Sequence, residues 1–402
     1  MKKNNLILAI FIALVTFISC NKDEEIPVEV SIATISPELA TIGDIITLNG
    51  QNFDTTEIYT VYFNNLEGVI IEVSETYVKV EVPERAASGE ITLNYNGKTI
   101  NAGFITITNI FTGEVELLTQ QDVDDFGAHN YSAVDGRLLI GDDRNPTPES
   151  IVSLEPLWAL TLVSSSLRIE YNTALTNVDG LNNIKETGNL LLEYNDALTN
   201  VNGLSSLTTT LGFYIYGNPL LTTIEGLSKL TLVDYLYING NASLTTLNGL
   251  QSLAIINETL EISRTALTNI DALSNITSLE YDLEIVNNEV LTSIDGLSNL
   301  MSVGEGIYIE NNTILTNLEG FTGLTTVGEE IYIYNNNALL NADGLSNLTT
   351  VGGDLEFYEN DLMSNYCGLN TLIIDNSYTD FRASSNAYNP TTQDIIDGNC
   401  SQ

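Results

Sequence analysis

A seven-residue segment recurs along the C-terminal two-thirds of the chain at a nearly constant spacing. It reads LTNVDGL at 175–181 and returns as LTNVNGL, LTTIEGL, LTTLNGL, LTNIDAL, LTSIDGL, LTNLEGF and finally LLNADGL at 339–345. The spacing is 23 residues four times and then 24 residues three times. A fixed period of this length is typical of a solenoid, in which no repeat buries its apolar face alone.

Each repeat also carries a tripeptide in which two apolar residues flank a variable one. Period-2 alternation predicts short strands with the flanking side chains pointing inward and the middle one outward. Ten such tripeptides predict about ten coils, beginning at Leu138, Leu167, Leu190, Phe213, Leu236, Leu260, Leu283, Ile307, Ile331 and Leu355.

Two further positions recur within each repeat. The glycine of each D/E/N-G-L is expected in a left-handed turn, which would leave Ala272 strained. Stacked asparagines can bond the backbone of neighbouring coils, so we expect a structural role for the recurring asparagines at the strand ends. These are Asn172, Asn195, Asn218, Asn241, Asn288, Asn312, Asn336 and Asn360.

The combined pattern L-x-I-x-x-N-x-x-L-T-x-I-x-G-L-x-x-L-x-x-V resembles the receptor L domain. The resemblance spans about 114–400 and implies a right-handed β-helix related to leucine-rich repeats, with a helical cap and a closing cysteine pair. A leucine-rich horseshoe is the alternative left open. Cys367 and Cys400 are the only cysteines besides Cys20, and an exported protein permits a disulfide between them.

Residues 28–108 alternate apolar and polar in seven short bursts separated by turn residues, which predicts an antiparallel β-sandwich. The stretch ISPELATIGDIITLNGQNF at 35–53 resembles the start of an IPT/TIG domain. That resemblance implies an immunoglobulin-like module serving as a spacer or as a binding unit. We expect a spacer, because no exposed aromatic cluster is evident in this segment.

The chain begins with Lys2 and Lys3, an apolar run, and then Cys20. This resembles a bacterial lipoprotein signal, with cleavage before Cys20 and a lipid on its thiol. Residues 20–25 read CNKDEE, similar to the export tag of Bacteroidetes surface lipoproteins. The resemblance implies lipid anchoring in the outer membrane, facing outward, with membrane contact through the anchor alone.

The expected organisation is all-β. The segments are a signal peptide at 1–19, an acidic tether at 20–27, the immunoglobulin-like domain at 28–108, a bridge with helical cap at 109–134, and the β-solenoid at 135–402. In the bridge, Thr119 and Asp122 form a capping-box pattern for a helix at about 120–127.

Composition and motifs exclude several function classes. With 53 acidic and 13 basic residues, a net charge of −40, the chain lacks the clustered cations that bind nucleic acid. Catalytic motifs are absent from the sequence, and His129 is the only histidine, without a nucleophile signature nearby. We expect no enzymatic activity, no cofactor and no metal. The acidic loop 141–145 leaves two alternatives, calcium binding or a plain insertion.

The outward positions of the predicted strands gather tyrosines and acids. Adjacent coils lie about 4.8 Å apart, so these side chains should touch. Stacked pairs of like charge, Glu170 with Glu193 and Glu261 with Glu284, would cost stability. The candidate binding residues are Tyr214, Tyr216 and Tyr237 in a middle cluster, and Tyr308, Tyr332, Tyr334 and Tyr358, with Glu310 and Glu356, in a C-terminal cluster.

Tyrosine offers rigid contact area with a polar tip, which suits protein partners and sugar rings. The leading hypothesis is non-catalytic recognition of a protein or cell-surface ligand by the solenoid. A glycan-binding subunit of a polysaccharide-uptake system is one alternative, and a structural surface component is another. A tyrosine ladder that only stabilises a solvated sheet would explain the same residues without a ligand.

Overall fold

A computed structural model gives the fold of residues 29–141 and 150–402. The predicted signal peptide, the tether with Cys20, and most of the acidic loop 141–145 lie outside these described residues. Their predicted roles therefore stay predictions.

The N-terminal domain is a β-sandwich-like arrangement of eight strands, paired in the order β1-β3-β6-β5-β4-β7-β8-β2. All pairings are antiparallel except that of β2 with β8. Sequence alternation identified seven of the strands and missed β2, which is only three residues long. The strands are β1 Ser31–Ser36, β2 Leu39–Thr41, β3 Ile45–Gln51, β4 Thr60–Phe63, β5 Leu66–Ser74, β6 Tyr77–Glu81, β7 Gly89–Tyr95 and β8 Lys98–Thr108.

The bridge contains the predicted helix, α1, at Gln120–Gly127. Thr119 accepts a hydrogen bond from the backbone N–H of Asp122, and Asp122 accepts one from the backbone of Thr119, so the capping box is confirmed. Val123 of α1 is fully buried in the core of the following domain. The bridge also contacts the N-terminal domain, because Asn130 Nδ2 donates to the carbonyl oxygen of Arg85 at 2.7 Å.

A long sheet of parallel strands forms the rest of the molecule. Its main path is β10-β12-β13-β14-β15-β17-β19-β21-β23-β25-β27-β28, and a second sheet pairs β20, β22, β24 and β26. All ten predicted tripeptides lie in strands of the main path. The strands are β9 Ile110–Thr112, β10 Val115–Leu117, β11 Ala133–Asp135, β12 Leu138–Ile140, β13 Leu162–Glu170, β14 Glu186–Glu193, β15 Thr209–Tyr216, β16 Leu232–Val233, β17 Tyr235–Asn239, β18 Ile255–Ile256, β19 Leu260–Ser263, β20 Ser278–Leu279, β21 Leu283–Val286, β22 Ser302–Val303, β23 Ile307–Glu310, β24 Thr326–Val327, β25 Ile331–Tyr334, β26 Thr350–Val351, β27 Leu355–Tyr358 and β28 Phe381–Ser384.

Parallel pairing of each strand with its counterpart in the next coil is the arrangement expected of a solenoid. The flanking apolar residues of the tripeptides are buried and belong to one continuous core. Short 3₁₀ turns carry most of the D/E/N-G-L segments, for example Asp295–Leu297 and Asp343–Leu345.

The recurring asparagines form a buried ladder, which confirms their predicted structural role. All eight are at most 4% exposed. Asn312 shows the pattern: its Nδ2 donates to Ile285 O at 2.8 Å, and its Oδ1 accepts from the backbone N–H of Asn288 at 3.1 Å. Each asparagine therefore satisfies backbone groups that the turn between strands would otherwise bury without partners. Asn386 extends the ladder by bonding Asn360, which sequence reasoning missed.

The glycine of the D/E/N-G-L segment has a different role from the one predicted. Among these glycines, only Gly180 and Gly249 have positive φ, of 106° and 113°. At the others the preceding coil lies too close for a side chain; a Cβ at Gly344 would lie 1.8 Å from Leu318 O. Ala272 does not have positive φ, so the predicted left-handed strain there is wrong.

The C-terminal end is closed by two helices, α2 at Asn370–Asp375 and α3 at Thr392–Ile396, and by strand β28. Cys367 and Cys400 form a disulfide across a sequence separation of 33 residues, as predicted. Strand β28 was not predicted, because it follows β27 by 26 residues rather than 24 and lacks the repeat's other motifs.

Candidate functional site

The outward side chains of the long sheet stand in two parallel columns. Parallel pairing in register places each residue beside its counterpart in the next coil. The central column is Leu139, Arg168, Leu191, Tyr214, Tyr237, Glu261, Glu284, Tyr308, Tyr332, Glu356 and Arg382. The second column is Glu170, Glu193, Tyr216, Asn239, Ser263, Val286, Glu310, Tyr334, Tyr358 and Ser384. Most are partly exposed, as predicted, whereas Glu170 and Ser263 are buried.

The predicted middle cluster divides into two groups. The rings of Tyr214 and Tyr237 stack with centroids 5.1 Å apart and planes 4° from parallel. Tyr235 joins them 6.1 Å from Tyr237, and two-residue alternation along β17 could have revealed it. Tyr216 instead makes an edge contact with Tyr194 at 5.1 Å. The ring of Tyr216 therefore groups with Tyr194 rather than with Tyr214 and Tyr237.

The predicted C-terminal cluster forms an open groove of about 490 Å³, which we call the acidic groove. Its lining residues are Tyr308, Glu310, Glu330, Tyr332, Gly353, Asp354 and Glu356. Tyr334 and Tyr358 border it, with ring centroids 5.9 and 6.1 Å from that of Tyr332. The structure thus brings together the six residues predicted for this cluster.

Four carboxylates and two phenol rings determine the chemistry of the acidic groove. Tyr308 donates its hydroxyl hydrogen to Glu330, and burial together with this bond raises the pKa of Tyr308. Burial raises the pKa of Glu310, because water stabilises its charge less well there. Within the described part of the chain, no cation forms an ion pair with Glu310.

One end of the acidic groove is occupied by an arginine that sequence reasoning missed. Arg382, on β28, forms ion pairs with Asp354 at 2.9 Å, Glu356 at 2.5 Å and Asp380 at 2.9 Å. It was missed because its strand departs from the repeat spacing. Its position shows that the groove's carboxylates can hold a guanidinium group.

The stacked acids are better compensated than the sequence suggested. Glu170 is buried but forms an ion pair with Arg168, and Glu261 accepts hydrogen bonds from Asn239 and Ser263. The acids stacked on them, Glu193 and Glu284, are less well compensated. Burial and the neighbouring acid raise the pKa of both. The cost of stacking like charges therefore falls mainly on Glu193 and Glu284.

The group that contains Tyr216 also includes two tyrosines that sequence reasoning missed, on the N-terminal side of β15 along the sheet. Tyr171 and Tyr194 stack with centroids 4.8 Å apart, and Tyr194 contacts Tyr216. Both have positive φ, of 56° and 53°, which costs about 1–2 kcal/mol for a bulky residue. An aromatic pair contributes about 0.5–1.5 kcal/mol, so the two ring contacts offset the strain of the two residues only in part.

Other candidate chemistry is limited in the residues that the structure describes. His129 bonds the carbonyl oxygen of Asp125 through Nδ1 and stacks on Tyr131. No three His, Cys, Asp or Glu side chains within 29–141 and 150–402 are placed to hold a metal ion. Over the same ranges, no helix has the length and apolar character needed to span a membrane.

Comparison with known proteins identifies the N-terminal domain. A family model for the IPT/TIG domain matches residues 31–110, the segment that folds into strands β1 to β8. No curated protein matches the chain. The prediction for this segment is confirmed: residues 31–110 are an IPT/TIG domain, an immunoglobulin-like fold.

Proposed function

We propose that the chain is a non-catalytic recognition protein that binds a protein partner through the outward face of its solenoid. The observation that carries this proposal is the acidic groove, in which tyrosines and carboxylates from successive coils form one open surface. Tyrosine side chains are frequent anchors of protein interfaces, because they bury a large rigid ring and keep a polar tip.

Charge supports a basic segment as the occupant of the groove. Glu310, Glu330, Asp354 and Glu356 line it, and Arg382 neutralises only the end formed by Asp354 and Glu356. A lysine or arginine of the partner would complement Glu310 and Glu330 and lie against the ring of Tyr332. The net charge of −40 would also attract a basic partner from a distance.

The remaining segments fit a display role. The IPT/TIG domain would hold the solenoid away from the membrane, and Cys20 would carry the lipid that anchors the chain in the outer membrane, facing outward. We further propose that the solenoid is a right-handed β-helix of about ten coils, similar to the receptor L domain. The continuous parallel sheet and the asparagine ladder support this architecture.

Glycan binding within a polysaccharide-uptake system is the second candidate. The neighbouring, partly exposed rings of Tyr214 and Tyr237 favour it, because a tyrosine side chain offers apolar area and a hydroxyl that a sugar can contact. A purely structural surface component would show neither peptide nor glycan binding.

The test measures binding of an arginine-rich dodecapeptide to the full chain by calorimetry, with a glutamate-rich dodecapeptide for comparison. We expect the basic peptide alone to bind, and the variants Glu310→Gln and Tyr332→Ala to weaken binding at least tenfold. Glu319→Gln is the matched control, because Glu319 is exposed in a 3₁₀ turn outside the groove. Equal binding by the groove variants and the control would refute the proposed site.

A further inference from the structure

The residue that follows each strand of the main path from β13 to β28 adopts left-handed backbone geometry. Five coils place glycine or asparagine there in agreement with this geometry, two coils use tyrosine, and the other three use arginine, glutamate or serine. In chain order the positions are Tyr171, Tyr194, Gly217, Gly240, Arg264, Asn287, Asn311, Asn335, Glu359 and Ser385. The fold therefore does not require an aromatic ring at this position, and glycine or asparagine would relieve the strain.

The two tyrosines and Tyr216 form one continuous exposed surface. Tyr171, Tyr194 and Tyr216 are 37%, 38% and 37% exposed, more than the tyrosines that line the acidic groove. Tyrosine hydroxyls keep their proton at neutral pH, and interaction with the side chain of Tyr216, together with burial, raises the pKa of Tyr194 further, to about 12. The rings thus present an uncharged surface with hydrogen-bonding groups at its margin.

Two glycines of successive coils, Gly217 and Gly240, form a step without side chains next to this surface. The ring of Tyr194 lies over Gly217, since a Cβ built on that glycine would come within 2.9 Å of the ring. The next coil has Gly240, where a Cβ would meet only the backbone of Gly217, at 3.4 Å. Arg264 follows in the next coil, with Nη1 3.5 Å from Asn239 Oδ1. Three coils separate Tyr194 from Arg264, a length of about 14 Å.

We propose that Tyr171, Tyr194 and Tyr216 form a stacking platform for a neutral sugar, whose rings extend over the step made by Gly217 and Gly240. The C–H groups of a sugar can pack against the exposed parts of these rings, and its hydroxyls can bond the side chains of Asn239 and Arg264. A neutral sugar is specified because the net charge of −40 repels an anionic one, and Glu193 lies beside the platform.

This platform is distinct from the acidic groove. The sugar site reaches Arg264, just after β19, and Tyr308 lies on β23, two strands further along the main path, which corresponds to about 10 Å. The two sites share no residue, so a variant of one site leaves the side chains of the other in place. If sugar binding to the platform is refuted, the proposal of peptide binding in the acidic groove is not affected, and the reverse also holds.

The test uses the full chain and neutral hexasaccharides with gluco, manno, galacto and xylo backbones, measured by calorimetry at up to millimolar concentration. We expect at least one to bind. Tyr194→Asn should weaken that binding at least tenfold without lowering the midpoint of thermal unfolding, since asparagine suits left-handed geometry. Tyr194→Phe keeps the ring and should retain binding to within a few-fold.

The control is Tyr281→Asn, which removes an exposed tyrosine outside the platform and should leave sugar binding unchanged. Binding of the basic dodecapeptide should be the same in Tyr194→Asn as in the parent. The proposal is overturned if no hexasaccharide binds the parent, or if Tyr194→Asn binds as tightly as the parent. A lowered unfolding midpoint in Tyr194→Asn would also overturn it, because the ring would then serve the fold.

Discussion

The asparagine ladder gives the sharpest prediction about stability. Replacing Asn312 by alanine removes the acceptor of the Asn288 backbone N–H and the donor to Ile285 O. Both groups are buried, and each unsatisfied group costs about 1–3 kcal/mol. Loss of both partners is therefore expected to lower the local stability of these coils by about 3 kcal/mol.

Hydrogen exchange measures this local loss directly. A change of about 3 kcal/mol corresponds to roughly hundredfold faster exchange of the amides that open together in the affected coils. We expect this acceleration in β21 and β23, the strands on either side of the altered bonds, and little change in the IPT/TIG domain. The measurement is amide exchange by mass spectrometry under native conditions.

Asn299→Ala is the matched control. Asn299 Nδ2 also donates to a backbone carbonyl, that of Ser274 at 2.8 Å, but the side chain is exposed and water can replace it. We expect a change within about 0.5 kcal/mol, or about twofold in exchange. Similar exchange in the two variants would refute the reasoning that burial of the ladder makes its bonds stabilising.

Three further predictions concern the solenoid. Thr265 interrupts the ladder, since among the described residues it accepts no bond from Asn241, so Thr265→Asn should raise the free energy of unfolding by about 1 kcal/mol in guanidinium titrations. Reducing the Cys367–Cys400 disulfide, which closes a loop of 33 residues, should lower stability by about 3–4 kcal/mol on the chain-entropy model, with faster exchange in α2 and α3. Burial raises the pKa of Glu284 above its unfolded value, so its folded state binds a proton more tightly and stability should rise as pH falls from 7 toward about 4.3. Glu284→Gln should remove that part of the pH dependence and, after solvent screening, stabilise the chain at pH 7 by under about 1 kcal/mol.

The interior of the solenoid could be predicted from the sequence because the same geometric requirement recurs in each coil. Leu283 and Ile307 occupy equivalent positions, so the repeat itself reveals that both point inward. The asparagines were recognised for the same reason. Arg382 escaped detection because its strand follows a longer connection, and its place in the acidic groove depends on pairing that the spacing does not reveal.

The orientation of the tyrosine rings could not be predicted from the sequence, for a different reason. Alternation along a strand predicts that Tyr216 points outward, but it does not say whether the ring leans toward Tyr214 or Tyr194. The contact between Tyr216 and Tyr194 depends on the backbone turn after β14, where Tyr194 adopts left-handed geometry. A sequence pattern of period two ends with the strand, so it carries no information about the residue that follows.

The outward columns show where selection for binding could act without disturbing the fold. Neighbouring coils share an interior of leucine and isoleucine, yet the central column changes from Tyr237 to Glu261 and from Glu284 to Tyr308. These changes leave the parallel pairing intact, because the backbone and the buried flanking residues determine it. A surface residue whose backbone is strained is more informative about binding than one that merely varies. Tyr194 lies just after its strand, strained at a position where five of the ten coils use glycine or asparagine, and this is why the sugar-binding test is centred on it.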